Sequence, residues 1–412
     1  MRSIPRYRHR ATGSWLFPFS LVLFEFTTYI AHDMVQPGML LVTRDLQVGP
    51  EWVPFSLTAY LVGGLVLQWL LGPLSDKWGR RPVLLSGVVL FSLTSGLTFW
   101  VTSIEQFMLL RFLQGTSLCF IGAVGYTAVQ EAFEERASIR LMAWMANVAL
   151  LAPLIGPLAG SALLLVTGWR MLFIIFAGLS LIALVGLYWR MPETAGNRTL
   201  ILTPKRLVGG YWQLLKQPAL IAGCLALGLS AVPVLSWVAL SPVYLIHDHQ
   251  LSEMRYALLQ LPVFVSMILG NSVLSRLSHH SALTRPLVMG AWPLVSGLLI
   301  ALLATFSDAH QVALLVTGLS IYAFGAGLST AVLYRLTLFS VSDAKGQVAA
   351  MMGMLSILMY SIGLELAREG YFRHGLFGFS LINLLSGVIW LLLIVLFIKR
   401  LALTRGVSMP QS

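Results

Sequence analysis

Apolar residues run along this chain in stretches of about 20, the length needed to cross a bilayer. Polar residues collect in short clusters between them. The pattern predicts twelve membrane-spanning helices. They begin near Trp15, Trp52, Pro82, Glu105, Ile139 and Trp169, and again near Pro218, Glu253, Thr284, Gln311, Gly346 and Arg373. The longest polar interval, Arg190 to Lys216, parts them into two sets of six. The expected fold is therefore an all-α membrane protein: a six-helix bundle over 1–190, a cytoplasmic linker over 191–217 and a second six-helix bundle over 218–412. Such paired halves fit the repeat architecture common among secondary transporters.

Charge fixes the expected orientation. With both termini cytoplasmic, only Arg44, Arg170, Arg255, Arg368 and Arg373 fall on the far side, and Arg111 lies within a span. The remaining Lys and Arg, out of 27, sit on the near side, as the positive-inside bias requires. The basic segment Arg2 to Arg10 reads as the flank of an uncleaved first helix, because the apolar run after it is long and carries acids. Composition agrees: 57% of residues are hydrophobic and 10% charged, against about 25% charged in a soluble domain. The net charge of +11 belongs to loops beside spans, so nucleic acid is not an expected partner. Cys119 and Cys224 both lie in apolar spans and imply no disulfide framework.

The loop between spans two and three reads Gly72-Pro73-Leu74-Ser75-Asp76-Lys77-Trp78-Gly79-Arg80-Arg81. Gly72 and Gly79 permit tight turns, Asp76 can accept hydrogen bonds, and Lys77, Arg80 and Arg81 anchor one membrane face. This run closely resembles the G-x-L-a-D-r-x-G-r-[rk] signature of the major facilitator superfamily. The corresponding interval of the second half, Ser275 to Pro286, keeps Arg276 and Arg285 but lacks the acid. In span four, Arg111 and Gln114 share a helix face within Arg111-Phe112-Leu113-Gln114-Gly115. An arginine inside a span needs a polar partner or water. The run resembles the R-x-x-Q-G element of proton-coupled exporters in that family, where the arginine couples protonation to movement; a structural ion pair is the plainer reading. In span five, Ala152, Gly156 and Gly160 make a smooth stripe for close helix contact, and Pro153 and Pro157 favour a bend. The plain reading is a packing face. The arrangement also resembles the family's antiporter motif, which implies export by exchange.

Span one carries Glu25, Tyr29, His32, Asp33 and Gln36. An acid inside a membrane is a functional candidate by default. Glu25 and Asp33 are eight residues apart, about 12 Å along the axis and roughly 80° around it. They can line one cavity at different depths without touching. Proton and cationic substrate competing for such carboxylates give an exchange mechanism. The alternative is fixed neutralisation by a partner such as Arg111. Pro37 and Gly38 leave open a position for Asp33 at the end of its span.

The string Phe24 to Met39 is similar to the first helix of the family's multidrug/proton antiporters, and the similarity extends over nearly the whole chain. It implies that Glu25 and Asp33, with Arg111, are proton- and substrate-linked. It implies that Tyr29, Met145, Ala149, Leu235, Val238 and Gly353 line a drug cavity, together with His32, Asp33 and Gln114. Gly72, Asp76, Gly79, Arg80, Arg81, Pro153, Gly156 and Pro157 are then the conformational motifs. The implied partners are small lipophilic drugs, both ethidium-like cations and chloramphenicol-like neutral compounds, with protons and membrane lipid. The implied setting is a monomer in the bacterial inner membrane. His32 stands where the resembling helix carries Asn. It is either a third proton acceptor, since histidine titrates near neutrality, or a neutral hydrogen-bonding substitute.

Other features take simpler readings. Glu131, with Glu134 and Glu135, reads as a solvated acidic turn. Met351, Met352, Met354 and Met359 form an adaptable apolar wall or ordinary packing. Glu365 and Arg368, three apart, pair along span eleven. Met191-Pro192-Glu193-Thr194 resembles the family's end of span six. The pair His279-His280 reads as a loop feature, so no metal site is expected, and no cofactor. The chain has no Walker-type run and no H-E-x-x-H pair, and no G-x-S-x-G elbow. An ion-driven transporter is therefore favoured over an enzyme or a sensor. A symporter or narrow exporter on the same fold is the nearest rival.

Overall fold

The computed structural model describes residues 15–195, 204–277, 285–341 and 345–405. The segment Arg2 to Arg10, the His279-His280 pair and the side chain of Ala149 lie outside the described residues. Eight helices among those described are long and apolar enough to cross a bilayer. A ninth span is the pair Trp52–Val66 and Gln68–Trp78, bent by 44°. The helix Lys345–Arg405 breaks at His374 and Gly375, where non-helical dihedrals divide it into spans eleven and twelve. Span one, Leu16–Asp33, and span five, Glu135–Leu164, complete the set of twelve. The remaining spans are Arg80–Leu97, Ile104–Ala132, Trp169–Arg190, Pro218–Asp248, Glu253–Leu277, Arg285–Leu303 and Gln311–Leu338. The chain is a multi-pass membrane protein, and every predicted start lies close to an observed one.

Two six-helix bundles result. Span one packs on spans five and six, and span two on span four. In the other half, span seven packs on span ten and on the long helix of spans eleven and twelve, while spans eight and nine pack on ten. The halves touch along two lateral seams, spans two and eleven and spans five and eight.

Two details exceed the sequence reading. The interval assigned to a linker contains a helix, Pro204–Leu215. Its Leu214 is buried, and a side chain added at Gly210 would meet Gln347, while Val208, Trp212 and Leu215 form an exposed apolar stripe. Spacings of four and three residues put those three on one helix face. Span one also does not stop at Asp33. A short 3₁₀ turn, Gln36–Gly38, hands the chain to the helix Met39–Asp45. Pro37 at the start of that turn costs little, because a first-turn N–H has no helical partner.

The break between spans two and three falls on Gly79, whose φ is +106°. A Cβ there would lie 2.2 Å from Glu193 Oε2. At Gly375, φ is +61° but the surroundings are open. Gly79→Ala is expected to destabilise the fold by about 1–3 kcal/mol from backbone strain alone, plus the clash. Gly375→Ala should show the strain only. Thermal unfolding of the purified variants checks the ordering.

Candidate functional site

Glu25 and Asp33 both point inward from span one and are 0% and 2% exposed. Asp33 is the last residue of the α-helix Leu16–Asp33, and the 3₁₀ turn and short helix to Asp45 carry the chain on beyond it. Glu25 Oε1 accepts a hydrogen bond of 2.9 Å from the Tyr126 hydroxyl, while Oε2 is enclosed without a donor. Asp33 Oδ1 lies 2.9 Å from His32 Nδ1, and the His32 ring tilts against Tyr60 at 5.5 Å. The two acids have separate partners, as their spacing requires.

Tyr126 had no signal in the sequence. It comes directly after a π-helical turn, Ile121–Gly125, inside span four. Such a turn adds a residue to the helical repeat and re-aims the side chains beyond it, a device frequent at functional sites. Here it delivers a phenol to Glu25.

Arg111 is 0% exposed. Its Nε donates to Ser56 Oγ at 3.2 Å, and its Nη1 to Gln114 Oε1 at 3.0 Å and the Ala31 carbonyl at 3.4 Å. The guanidinium lies 4.5 Å over the Tyr60 ring, whose hydroxyl donates to the Thr28 carbonyl at 2.9 Å. Nη2 has no partner. The alternative, fixed neutralisation of Glu25 or Asp33 by Arg111, has no direct contact behind it: neutral dipoles and a π face hold this cation. The reason is position. Its reach from span four ends on span two and on the backbone of span one. Gln114 is also fully buried, its oxygen on Arg111 and its nitrogen 3.0 Å from Thr98 Oγ1. Its amide thus bridges Arg111 and Thr98.

Span five runs helically through Pro153 and Pro157. Its small-residue stripe lies directly on span one. A Cβ at Gly156 would stand 2.6 Å from Asp33 Cβ and 3.1 Å from Met34 N, and one at Gly160 2.2 Å from the Met34 carbonyl. Ala152 is fully buried on the same stripe. The stripe is therefore a packing face whose location is the backbone around Asp33.

The loop motif closes a charged cluster at the other end of the bundle. Arg80 Nη2 lies 2.5 Å from Asp76 Oδ1 and 3.1 Å from Glu131 Oε1. Its Nε reaches Glu131 Oε2 at 3.2 Å, and its backbone N–H donates to Glu193 Oε1 at 2.8 Å. Thr194 Oγ1 donates to Glu131 at 2.7 Å, and Arg81 donates to the Tyr188 carbonyl. Glu131 is exposed to solvent, as expected, but it is also bonded. It ties the end of span four to the loop and to the end of span six, and its contact with Arg80 spans 51 residues, which local pattern does not encode. Glu365 pairs with Arg368 at 2.7 Å, as the spacing of three predicts.

The remaining cavity candidates are scattered in their settings. Tyr29 is half-buried on span one and Met145 fully buried on span five. Val238 and half-buried Leu235 belong to an apolar cluster at the meeting of the halves, with Leu57, Leu61, Phe264, Ile357 and Leu364. Gly353 faces the Gln68 amide, which lies 2.1 Å from where its Cβ would be. Met351 and Met352 are buried, and Met354 is half-buried.

Comparison with known proteins points one way. The sequence profile of the Major Facilitator Superfamily matches residues 21–364. The multidrug transporter MdfA of Edwardsiella piscicida is 51% identical over 384 residues, 93% of this chain and 94% of the relative. The MdfA proteins of Escherichia coli O157:H7 and Yersinia pestis (strain D106004) are each 50% identical, with the same shares covered. Among solved structures, the xylose transporter XylE from E. coli, in a partially occluded inward open conformation, superposes with a TM-score of 0.71 at 15% identity. That match covers 94% of this chain and 98% of XylE. The nucleoside transporter NupG gives 0.70 at 13% identity, over 93% and 99%. These two likenesses concern the fold.

Gly156→Ala and Gly160→Ala are each expected to cost about 1–3 kcal/mol, the usual range for overpacking. Gly178→Ala in span six, with nothing within 4 Å of the added carbon, should leave the midpoint unchanged. Thermal unfolding in one detergent compares the three.

Proposed function

The chain belongs to the major facilitator superfamily, and we propose that it is a multidrug efflux transporter driven by proton exchange. The observation that carries the reading is the pair of buried carboxylates on span one, one of them with an enclosed oxygen that no donor reaches. A buried acceptor without a donor is costly. A proton on Glu25, or a cationic or hydrogen-bonding group of a bound drug, completes its set. Tyr126 holds the other oxygen in place for either event. Asp33, at the end of the same helix, is a second acid for the same exchange, with His32 as its hydrogen-bonding neighbour. Proton and drug then compete for the same acids, which is sufficient for exchange.

The surroundings suit broad recognition. Lipophilic substrates need apolar and aromatic walls with few polar fixtures, and Tyr29, Met145, Leu235, Val238 and Met354 supply surfaces of that kind. Ala149 and Gly353 belong to the same set by similarity to the relatives. Arg111, held by dipoles and not by a carboxylate, leaves both acids free to change their charge. Span five, lying on the backbone at Asp33, moves with any shift of that helix.

Two six-helix halves, 1–190 and 218–412, rock about this level in alternation. Protonation favours one access state and drug the other, and the coupling equals their difference in binding between states. Loop charge favours both termini in the cytoplasm, with the Asp76–Arg80–Glu131 cluster on that side and Asp45 on the outer side. The protein works as a monomer in a bacterial inner membrane, takes protons and drugs as its partners, and has no enzymatic step.

Adding an ethidium-like cation or chloramphenicol to acid-loaded inverted vesicles is expected to release a proton signal. Silence with every lipophilic drug tried defeats the reading. Asp33→Asn should reduce cation export by about tenfold or more, the scale of one lost charged contact, and neutral-drug export much less. Full activity of the double variant Glu25→Gln/Asp33→Asn toward all drugs removes the acids from the mechanism. His32→Asn should leave the pH profile of transport within about one unit of the original, and a larger shift makes His32 a titrating group.

A further inference from the structure

We propose that Thr58 and Glu365 are positioning residues of the transport cycle. Their hydrogen bond, with a counterpart from Ser161 across the opposite seam, holds the outer ends of the two halves together until substrate or proton releases them. The proposal rests on the alternating-access reading above and adds to it the contacts that set the balance between the two access states.

Each lateral seam carries one hydroxyl from the first half bonded to an oxygen of the second. Thr58 Oγ1 in span two donates to Glu365 Oε1 in span eleven at 2.5 Å. Ser161 Oγ in span five donates to the backbone carbonyl of Glu253, which opens span eight, at 3.0 Å. Thr58 and Ser161 are 7% and 1% exposed. Between the seams lies the apolar cluster of Leu57, Leu61, Val238, Phe264 and Leu364. Apolar contact is non-directional and lets packed helices slide. A hydrogen bond is directional and weakens steeply off its axis. The cluster therefore seals the outer end, and the two hydroxyl bonds fix how the halves register against each other.

The chemistry of the Thr58 bond suits repeated breaking. Glu365 Oε2 already accepts from Arg368 Nε at 2.7 Å on its own helix. Arg368 lies 3.9 Å from Glu369, and Glu369 holds Arg373 at 2.5 Å. This ladder keeps the carboxylate charge paired whether or not the halves touch. On the other side, a threonine hydroxyl in a helix can turn to the carbonyl one turn back. Parting thus exchanges one bond for another and orphans no buried charge, whose uncompensated burial makes an ion pair hard to open. A Thr–carboxylate contact is strong enough to bias the equilibrium and weak enough to yield.

The test uses the full-length protein in lipid nanodiscs, with spin labels at Val166→Cys and Asp308→Cys, two outer-end positions on opposite halves. Distance distributions report how often the outer end is open. Thr58→Val keeps the shape and removes the donor; it is expected to raise the open-to-closed ratio about tenfold, the scale of one hydrogen bond to a charged group. Thr58→Ser retains the donor and should match the parent. Ser161→Ala should shift the ratio in the same direction, and the double variant further. An unchanged distribution in Thr58→Val overturns the proposal, as does an equal shift in Thr58→Ser. Drug-driven proton release measured on the same preparations separates the two readings. A parent that exchanges no drug while Thr58→Val still opens the outer end removes the multidrug reading and leaves the latch standing.

Discussion

Span five lies on span one with almost no side chain between them. At Gly156 and Gly160 there is no space even for a methyl group against Asp33, Met34 and Pro37. In a bilayer, helices gain little from hydrophobicity when they associate and depend on close packing. This contact is therefore a structural condition for the first half, and it fixes the helix that carries both acids. It also explains why a stripe that reads as plain packing can bear on function. The segment of span one that it clamps carries Asp33, one of the two acids proposed to exchange protons.

The second condition is the placement of Arg111. A buried guanidinium costs several kcal/mol to desolvate, and here Ser56, Gln114, the Ala31 carbonyl and the Tyr60 ring meet that cost. The arrangement keeps a positive charge beside span one without engaging either carboxylate directly. Tyr60 binds both partners, under the guanidinium by its face and to the Thr28 carbonyl by its hydroxyl. The cation and the acid-bearing helix are thus joined through backbone and ring, a route by which movement of one reaches the other.

A third group of contacts decides how the bundles hold together. The Asp76–Arg80–Glu131 cluster ties spans two, three and four at one end, with Glu193 bringing in the end of span six. It makes the first half rigid at its charged face. The seams between halves are, by contrast, apolar with isolated hydroxyl bonds. Rigid bodies joined by a weakly bonded apolar seam are what a rocking mechanism requires.

The spans, their approximate starts, the division into two sets of six and the bias of loop charge were all readable from the chain, because partition into a bilayer is a property of each segment by itself. The Glu365–Arg368 pair was readable for the same reason, since three residues on a helix bring side chains together without help. The small-residue stripe announced close packing but not its target. Tertiary structure alone decided that Glu25 meets Tyr126, that Arg111 meets dipoles and not an acid, that Glu131 joins Arg80, and that Thr58 reaches Glu365. The contacts of Tyr126 with Glu25, Arg111 with Ser56, Arg80 with Glu131 and Thr58 with Glu365 link separate helices across 51 to 307 positions. A hydrogen bond forms only within about 3 Å, and no local pattern specifies which two distant helices come that near.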